Sequence, residues 1–182
     1  MVESLKRYLE PGYRYDFNQG PKEVRSLEDA LHGGINCVSL AHLAIKDLFG
    51  YELPYELHCA EMYRDKEHFV TIDQDEPLQL GDLFWFGVKN PKIQAEEFKP
   101  IYDHSGNLIN WFENPVKHVA MYTGIKNVDN DPILLHSTHV EGTNTLWPLS
   151  QFEVYRNYRV LYGVTRLIVA NEAVALTSEA AA

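Results

Sequence analysis

A cysteine stands at the predicted start of a helix, directly after a glycine-containing turn. Residues 33–36, Gly-Gly-Ile-Asn, precede Cys37, and Asn36 is a residue that commonly caps a helix N-terminus. The unpaired N–H groups and the positive dipole end of a helix start favour a thiolate over a thiol. This placement predicts a nucleophilic cysteine, although a lone cysteine there can equally be a small buried apolar residue.

Two histidine-bearing segments lie far downstream. Residues 117–124 and 133–139 mix apolar and β-prone side chains between turn-forming residues, and they predict adjacent antiparallel strands. Because side chains alternate along a strand, His136 and His139 should point to opposite faces unless a bulge intervenes. Only one of the two is therefore expected to face His118.

The three residues Cys37, His118 and His136 match the needs of covalent catalysis by a thiol. A cysteine nucleophile requires a base that takes its proton, and the base requires a third group that fixes its ring. Either histidine taken alone fits a structural role as well. The prediction of a catalytic triad depends on their combination with the cysteine.

With these residues in place, the chain resembles the NlpC/P60 family of papain-like cysteine peptidases. Residues 33–54 are similar to its glycine-rich turn, cysteine and apolar helix, which ends in Leu-Pro. Residues 80–86, Leu-Gly-Asp-Leu-Phe-Trp-Phe, resemble the family's "pGDLvfF" strand, and residues 118–124 resemble its "HVGIYiG" strand. Residues 134–137 look like its "fiHa" block, which carries the third catalytic residue. The resemblance spans about residues 12–168.

The resemblance implies a role for each matching residue. Cys37 would be the nucleophile, His118 the base and His136 the residue that orients the base, while the backbone N–H of Cys37 would contribute to an oxyanion hole. The residues implied or predicted to contact substrate are Tyr13 or Tyr15, Asn36, Ser39, Asp82 and Trp111. The chain departs from the family's Asp-Cys-Ser-Gly because residues 36–39 read Asn-Cys-Val-Ser, without the carboxylate beside the thiol.

The segment 87–115, between the second and third matching blocks, is longer than a simple hairpin loop. It is rich in apolar and aromatic residues. Such an insertion beside a site can cap the cleft and select the substrate. The alternative is a packed hairpin that covers the sheet, with its turn at residues 105–107.

Composition indicates one globular domain. The 182 residues are 45% hydrophobic, which suffices for one sizeable core over residues 1–170, followed by a flexible tail at 171–182. The net charge of −10 disfavours nucleic acid and anionic membranes as partners and favours small soluble substrates. By the family resemblance, such a substrate would be a small peptide or a peptidoglycan fragment. The spacing of the eight histidines matches no zinc motif, so we expect no metal and no cofactor.

The N-terminus lacks the apolar core of a signal peptide, and no run of residues approaches transmembrane length. We therefore expect a cytoplasmic protein, with export by another route left open, and two free cysteines.

The predicted fold is α+β and papain-like, with the nucleophile helix packed on a central antiparallel sheet. The predicted helices are a short N-terminal one, Cys37–Phe49 and residues 55–64, and the predicted strands are 82–87, 118–124, 133–139 and 158–168.

By resemblance, the predicted function is a cysteine amidase or endopeptidase that cuts a γ-D-glutamyl-diamino acid bond in peptidoglycan-type peptides. One alternative is an enzyme of similar fold that transfers the acyl group or hydrolyses another amide, such as the related CHAP amidases. The other is a binding module that keeps the cleft but does not convert a substrate.

Overall fold

A computed structural model describes residues 1–55, 59–89, 92–95, 97–104, 109–110 and 112–168. The chain folds as α+β, as predicted, with one antiparallel sheet and five α-helices in the described residues. The helices are α1 (Glu3–Lys6), α2 (Leu27–Gly33), α3 (Cys37–Phe49), α4 (Cys59–Arg64) and α5 (Leu149–Phe152), with a 3₁₀ turn at Arg7–Leu9.

Helix α3 has the bounds that the sequence predicts. Asn36 caps its N-terminus, because its side-chain oxygen accepts hydrogen bonds from the backbone N–H groups of Val38 and Ser39. Gly50 ends the helix in the left-handed conformation, with φ of 66°. The first nine residues of α3 are buried, so the helix is enclosed at its N-terminal end.

The six strands lie in the order β1-β6-β2-β3-β4-β5, and every neighbouring pair is antiparallel. The strands are β1 (Phe69–Ile72), β2 (Leu83–Gly87), β3 (Val116–Lys126), β4 (Pro132–Thr138), β5 (Thr143–Pro148) and β6 (Val160–Leu167). The central strands β2 and β3 are covered on both faces, which explains why β2 is a continuous apolar run rather than an alternating one.

The two faces of the sheet carry separate hydrophobic clusters. Alternate residues of β2 and β3, such as Trp85 and Val119, pack with helix α3 in the larger cluster. The residues between them, such as Phe86 and Ala120, join Phe152 of α5 in the second cluster. Helix α3 lies across β3 and β4, the two strands that carry the predicted catalytic histidines.

Several elements differ from the sequence prediction. Strands β1 and β5 and helices α2 and α5 were not predicted, and β4 ends at Thr138 rather than at residue 139. The helix predicted for residues 55–64 is present as α4, while residues 56–58 lie outside the described residues. The predicted tail at 171–182 and turn at 105–107 also lie outside them.

Described residues of the segment 87–115 lie both in the packed interior and at the cleft. Phe98 is buried, and the backbone N–H of Ile109 donates to the carbonyl of Ile101, so part of the segment packs as a covering loop. Phe112 instead reaches the cleft described below. No helix in the described part of the chain is long and apolar enough to cross a membrane.

Candidate active site

Cys37 is the first residue of α3, and a close approach of two backbone segments holds it in place. Gly34 has φ of 100°, and a Cβ there would lie 2.8 Å from the Cβ of Asp16. Immediately after it, the N–H of Ile35 donates to the carbonyl of Arg14 at 2.9 Å. The glycine therefore lets segment 14–16 run against the residues that lead into α3.

The Cys37 thiol is only 8% exposed, and burial raises its pKa to about 11. The backbone N–H groups of Val119, Cys37 and Val38 lower the pKa of the thiol, because their positive ends favour a thiolate. The helix start therefore lowers the pKa of the thiol, as predicted, but desolvation raises it by more. The free protein carries a neutral thiol at pH 7. Because the Val119 N–H belongs to the peptide bond after His118, the sulfur lies beside the backbone of the predicted base.

His118 and His136 are brought into direct contact. Nε2 of His118 and Nδ1 of His136 are 2.8 Å apart, with both rings buried. The pairing of β3 with β4 places the two side chains on the same face of the sheet, together with the second hydrophobic cluster. Of the two histidines considered for this position, His136 is the one that meets His118.

The hydrogen bond restricts the tautomers of the pair. If His118 keeps Nδ1 free to accept a proton, its Nε2–H donates to Nδ1 of His136, whose own proton is then on Nε2. None of the described residues bonds to that Nε2. The ring of His136 instead meets Trp147 at a centroid distance of 4.5 Å and an interplanar angle of 65°.

Burial keeps both histidines neutral. It lowers the pKa of His118 to about 3, with His139 adding a smaller effect in the same direction, and it holds the pKa of His136 well below its usual range. A neutral His118 is the form that can accept a proton from a neutral thiol. The free protein therefore holds a thiol and an imidazole rather than an ion pair.

Acid should destabilise this protein through the same two histidines. Below pH 6.5 an unfolded histidine binds a proton, whereas folded His118 resists protonation down to about pH 3, so the free energy of unfolding falls as the pH falls. Each histidine contributes a slope of up to about 1.4 kcal/mol per pH unit. Urea unfolding between pH 7 and 4 should show a smaller slope for the double variant His118→Gln/His136→Gln. An equal slope in the two proteins would contradict neutral burial.

A cleft of about 1020 Å³ opens beside His118. Its walls come from the segment before α3, the ends of β2 and β3, the insertion and the segment between α5 and β6. They include Tyr15, Phe17, Lys89, Phe112, Lys117, His139, Arg156, Tyr158 and Arg159. The pairing of β2 with β3 shifts at this point, from Phe86 opposite His118 to Gly87 opposite Val116, so Lys117 is an extra residue in β3. This bulge explains how two successive residues, Lys117 and His118, both line the cleft.

The structure separates the two candidate tyrosines. Tyr13 is buried in the larger cluster, whereas Tyr15 lines the cleft with its ring centroid 6.0 Å from that of His139. Burial, and secondarily the charge of Cys37, raises the pKa of Tyr15, which puts its phenol within electrostatic range of the sulfur. Tyr15 is therefore the upstream tyrosine at the site.

Three of the other residues predicted to contact substrate form hydrogen bonds within the protein. Asn36 is the cap of α3, and its amide nitrogen donates to the carbonyl of Phe17 at 3.2 Å. Ser39 is fully buried and donates to the carbonyl of Gln19 at 2.6 Å. Both side chains build the framework of the site, because their polar atoms are engaged within the protein.

Asp82 is also fully buried, away from the residues that line the cleft. Its two oxygens accept hydrogen bonds from Nε and Nη2 of Arg166 at 2.8 and 2.9 Å. One of them also accepts from the N–H of Gln79 at 2.7 Å. The carboxylate is thus a structural anchor rather than a substrate ligand. Trp111 lies outside the described residues.

Sequence reasoning missed Tyr158 as a site residue. Its ring centroid lies 4.4 Å from that of His118, and its hydroxyl is 3.0 Å from Oγ1 of Thr138 and 3.1 Å from Nδ1 of His139. Burial, with a smaller effect of Cys37, raises the pKa of Tyr158 to about 12. The only sequence signal was a tyrosine between two arginines just before the last strand, a pattern without a specific meaning.

The position of His139 also differs from the sequence prediction, in which His136 and His139 point to opposite faces of the sheet. It lies one residue beyond the end of β4, so the alternation that sends neighbouring strand residues to opposite faces does not fix it. It is exposed, lines the cleft and contacts Tyr158, on the same side as His118. Among the described residues, no group of three or more His, Cys, Asp or Glu side chains is arranged to hold a metal ion.

Comparisons with models of protein families and with curated proteins give no match to this chain. The similarity to the NlpC/P60 family therefore stays a prediction from the four motif blocks of the sequence.

Proposed function

We propose that this protein is a cysteine amidase or endopeptidase with a papain-like fold of the NlpC/P60 type. Cys37 acts as the nucleophile, His118 as the general base and acid, and His136 as the positioning residue for the base. The observation that carries the proposal is the 2.8 Å contact between His118 Nε2 and His136 Nδ1 on a strand whose backbone reaches the buried Cys37 sulfur.

This contact supports catalysis because it decides which nitrogen of His118 is available. With Nε2 engaged by His136, Nδ1 is the ring nitrogen of His118 that is left to accept a proton. Packing of the His118 ring against Tyr158 at a centroid distance of 4.4 Å restricts the ring further. A base that is held in one orientation needs no reordering when the substrate binds.

The chemistry follows from two neutral groups. As the sulfur of Cys37 attacks the amide carbonyl carbon, its proton moves to Nδ1 of His118, and backbone N–H groups at the start of α3 stabilise the oxyanion. His118 then gives the proton to the departing amine, which leaves a thioester on Cys37. A water molecule, deprotonated by His118, attacks the thioester and releases the carboxylic acid, and the proton returns to the sulfur.

The proposed substrates are amides within small peptides, for which the family resemblance suggests a γ-D-glutamyl-diamino acid bond. A cleft of about 1020 Å³ with aromatic walls is large enough for a short peptide, since small-molecule sites commonly measure roughly 300–1,000 Å³.

The proposal is tested with a γ-D-glutamyl-diamino acid peptide and three proteins. The wild type should release a new amine and a new carboxylate, and Cys37→Ala should lower the rate by about a thousandfold or more. Cys59→Ala is the matched control, because Cys59 is the other free cysteine and lies in α4. Mass spectrometry of the quenched wild type should find the acyl group on Cys37. Equal rates for wild type and Cys37→Ala would overturn the proposal.

A binding module is the second candidate, and the high pKa of the Cys37 thiol is the observation that favours it. A buried, protonated thiol has little reactivity unless the base takes its proton. In that case the wild type would bind the peptide without releasing product, and no acyl group would be found on Cys37.

A further inference from the structure

The cleft beside His118 has a charge opposite to that of the whole protein. The chain contains 26 acidic and 16 basic residues, for a net charge of −10. Among the described residues that line the cleft, however, four are Lys or Arg and none is Asp or Glu; the four are Lys89, Lys117, Arg156 and Arg159. A local concentration of one sign against the overall charge marks a surface that attracts the opposite charge.

These cations come from two walls. Lys89 follows β2 and Lys117 is the bulged residue of β3, so both belong to the sheet wall. Arg156 and Arg159 flank Tyr158, whose ring packs on His118, in the segment between α5 and β6. A ligand beside His118 would therefore meet positive charge on both walls of the cleft.

Most of these cations are available to a ligand. In the described part of the chain, the side chains of Lys89, Arg156 and Arg159 are exposed and form no ion pair or hydrogen bond. Some cations elsewhere in the described residues are paired, such as Lys46 with Glu52 and Arg166 with Asp82. Lys117 differs from the other three, because its ammonium donates to the carbonyl of Phe112 at 3.0 Å.

The apolar walls strengthen this field. Tyr15, Phe17, Phe112 and Val160 line the same cleft and reduce the water around the charges. Charge-assisted hydrogen bonds to carboxylates are stronger in such surroundings, and the planar guanidinium group binds a carboxylate through two parallel bonds. A free ammonium group would find no carboxylate among the described lining residues.

We propose that the cleft contains a carboxylate-binding subsite, formed by Arg156 and Arg159 with Lys89, and that the protein selects acidic peptides over peptides with a free ammonium near the scissile amide. This proposal rests on the proposed amidase function and specifies its substrate class. It narrows the substrate suggested by family resemblance, because a diamino acid with a free amine is a poor match to this cleft.

Binding is measured with the Cys37→Ala protein, so that turnover does not enter the result. The probes are a short end-blocked peptide of glutamates and the glutamine and lysine peptides of equal length. The glutamate peptide should bind at least about tenfold more tightly than the others, and added salt should weaken it. Adding Arg156→Gln and Arg159→Gln should remove about tenfold of the affinity. Adding Lys126→Gln instead, an exposed residue at the far end of β3, should change it less than about twofold.

Equal affinity for the glutamate and glutamine peptides, or an equal loss with Lys126→Gln, would overturn the subsite. Displacement of the glutamate peptide by inorganic phosphate at matched concentration would also overturn it, since the site would then favour phosphate-bearing ligands. If the amidase proposal is wrong and the subsite is right, the wild type will bind acidic peptides without cutting them. Conversely, if the wild type cuts the glutamine peptide and the glutamate peptide at equal rates, this result will support the amidase proposal and contradict the subsite proposal.

Discussion

Substitution of His136 by alanine is expected to lower kcat/KM by about a thousandfold, mainly through kcat. The alanine variant loses the acceptor for the Nε2–H of His118, which lies 2.8 Å from His136 Nδ1 in the native protein. His118 can then rotate or adopt the other tautomer, with Nδ1 protonated and unable to take the thiol proton. The measurement is steady-state hydrolysis of the peptide that the wild type cuts, with KM and kcat determined separately.

Two further variants distinguish positioning from packing. His136→Asn supplies an amide oxygen that can accept from His118, so it should recover more activity than His136→Leu, which fills space without an acceptor. His32→Ala removes an exposed histidine at the end of α2 and should leave the rate unchanged. Equal activity in His136→Asn and His136→Leu would mean that His136 contributes only volume to the cluster with Trp147 and Phe152.

Substitution of Asp82 by alanine is expected to lower the free energy of unfolding by about 3–5 kcal/mol. Asp82 is fully buried, and its removal leaves the guanidinium of Arg166, itself 4% exposed, without its main counter-charge. Urea unfolding monitored by tryptophan fluorescence would measure the loss. The protein that remains folded should keep its kcat/KM, because the carboxylate does not reach the cleft.

Glu76 provides the matched control. It contacts Nη1 of the same arginine at 2.7 Å, but its side chain is 43% exposed, so Glu76→Gln should cost less than about 1 kcal/mol. An Asp82→Ala protein of unchanged stability and reduced substrate affinity would reverse this assignment and restore Asp82 as a substrate ligand.

The parts of the fold that could be predicted from sequence are those encoded by local signals. Helix α3 has an asparagine cap, an apolar periodicity and a glycine stop within one continuous segment. Strands β2, β3 and β4 are long enough and apolar enough to be read in the same way. Strand β1 has only four residues and strand β5, Thr-Asn-Thr-Leu-Trp-Pro, has few apolar ones, so neither carries a clear pattern.

The candidate site residues likewise include some with local sequence signals and some without. Cys37, His118 and His136 could be selected as candidates because motifs surround them, whereas the ion pair that engages Asp82 could not be predicted because its partner Arg166 lies 84 residues away. Burial of the Cys37 thiol depends on the packing of α3 against the sheet, so the rise in its pKa has no local sequence signal. The positive cleft was hidden for a similar reason, since its four cations come from three separate segments of an acidic chain.

The cap of helix α3 has a consequence for how a ligand would bind. The side-chain oxygen of Asn36 accepts hydrogen bonds from the N–H groups of Val38 and Ser39, and its nitrogen donates to the carbonyl of Phe17. The hydroxyl of Ser39 donates to the carbonyl of Gln19. The aromatic wall at Phe17 is thereby fastened to the same turn of helix that carries the sulfur. The conformational entropy of this wall is lost when the chain folds, so a ligand does not have to order it again on binding. The backbone at Phe17 and the sulfur of Cys37 are thus positioned together by the same helix cap.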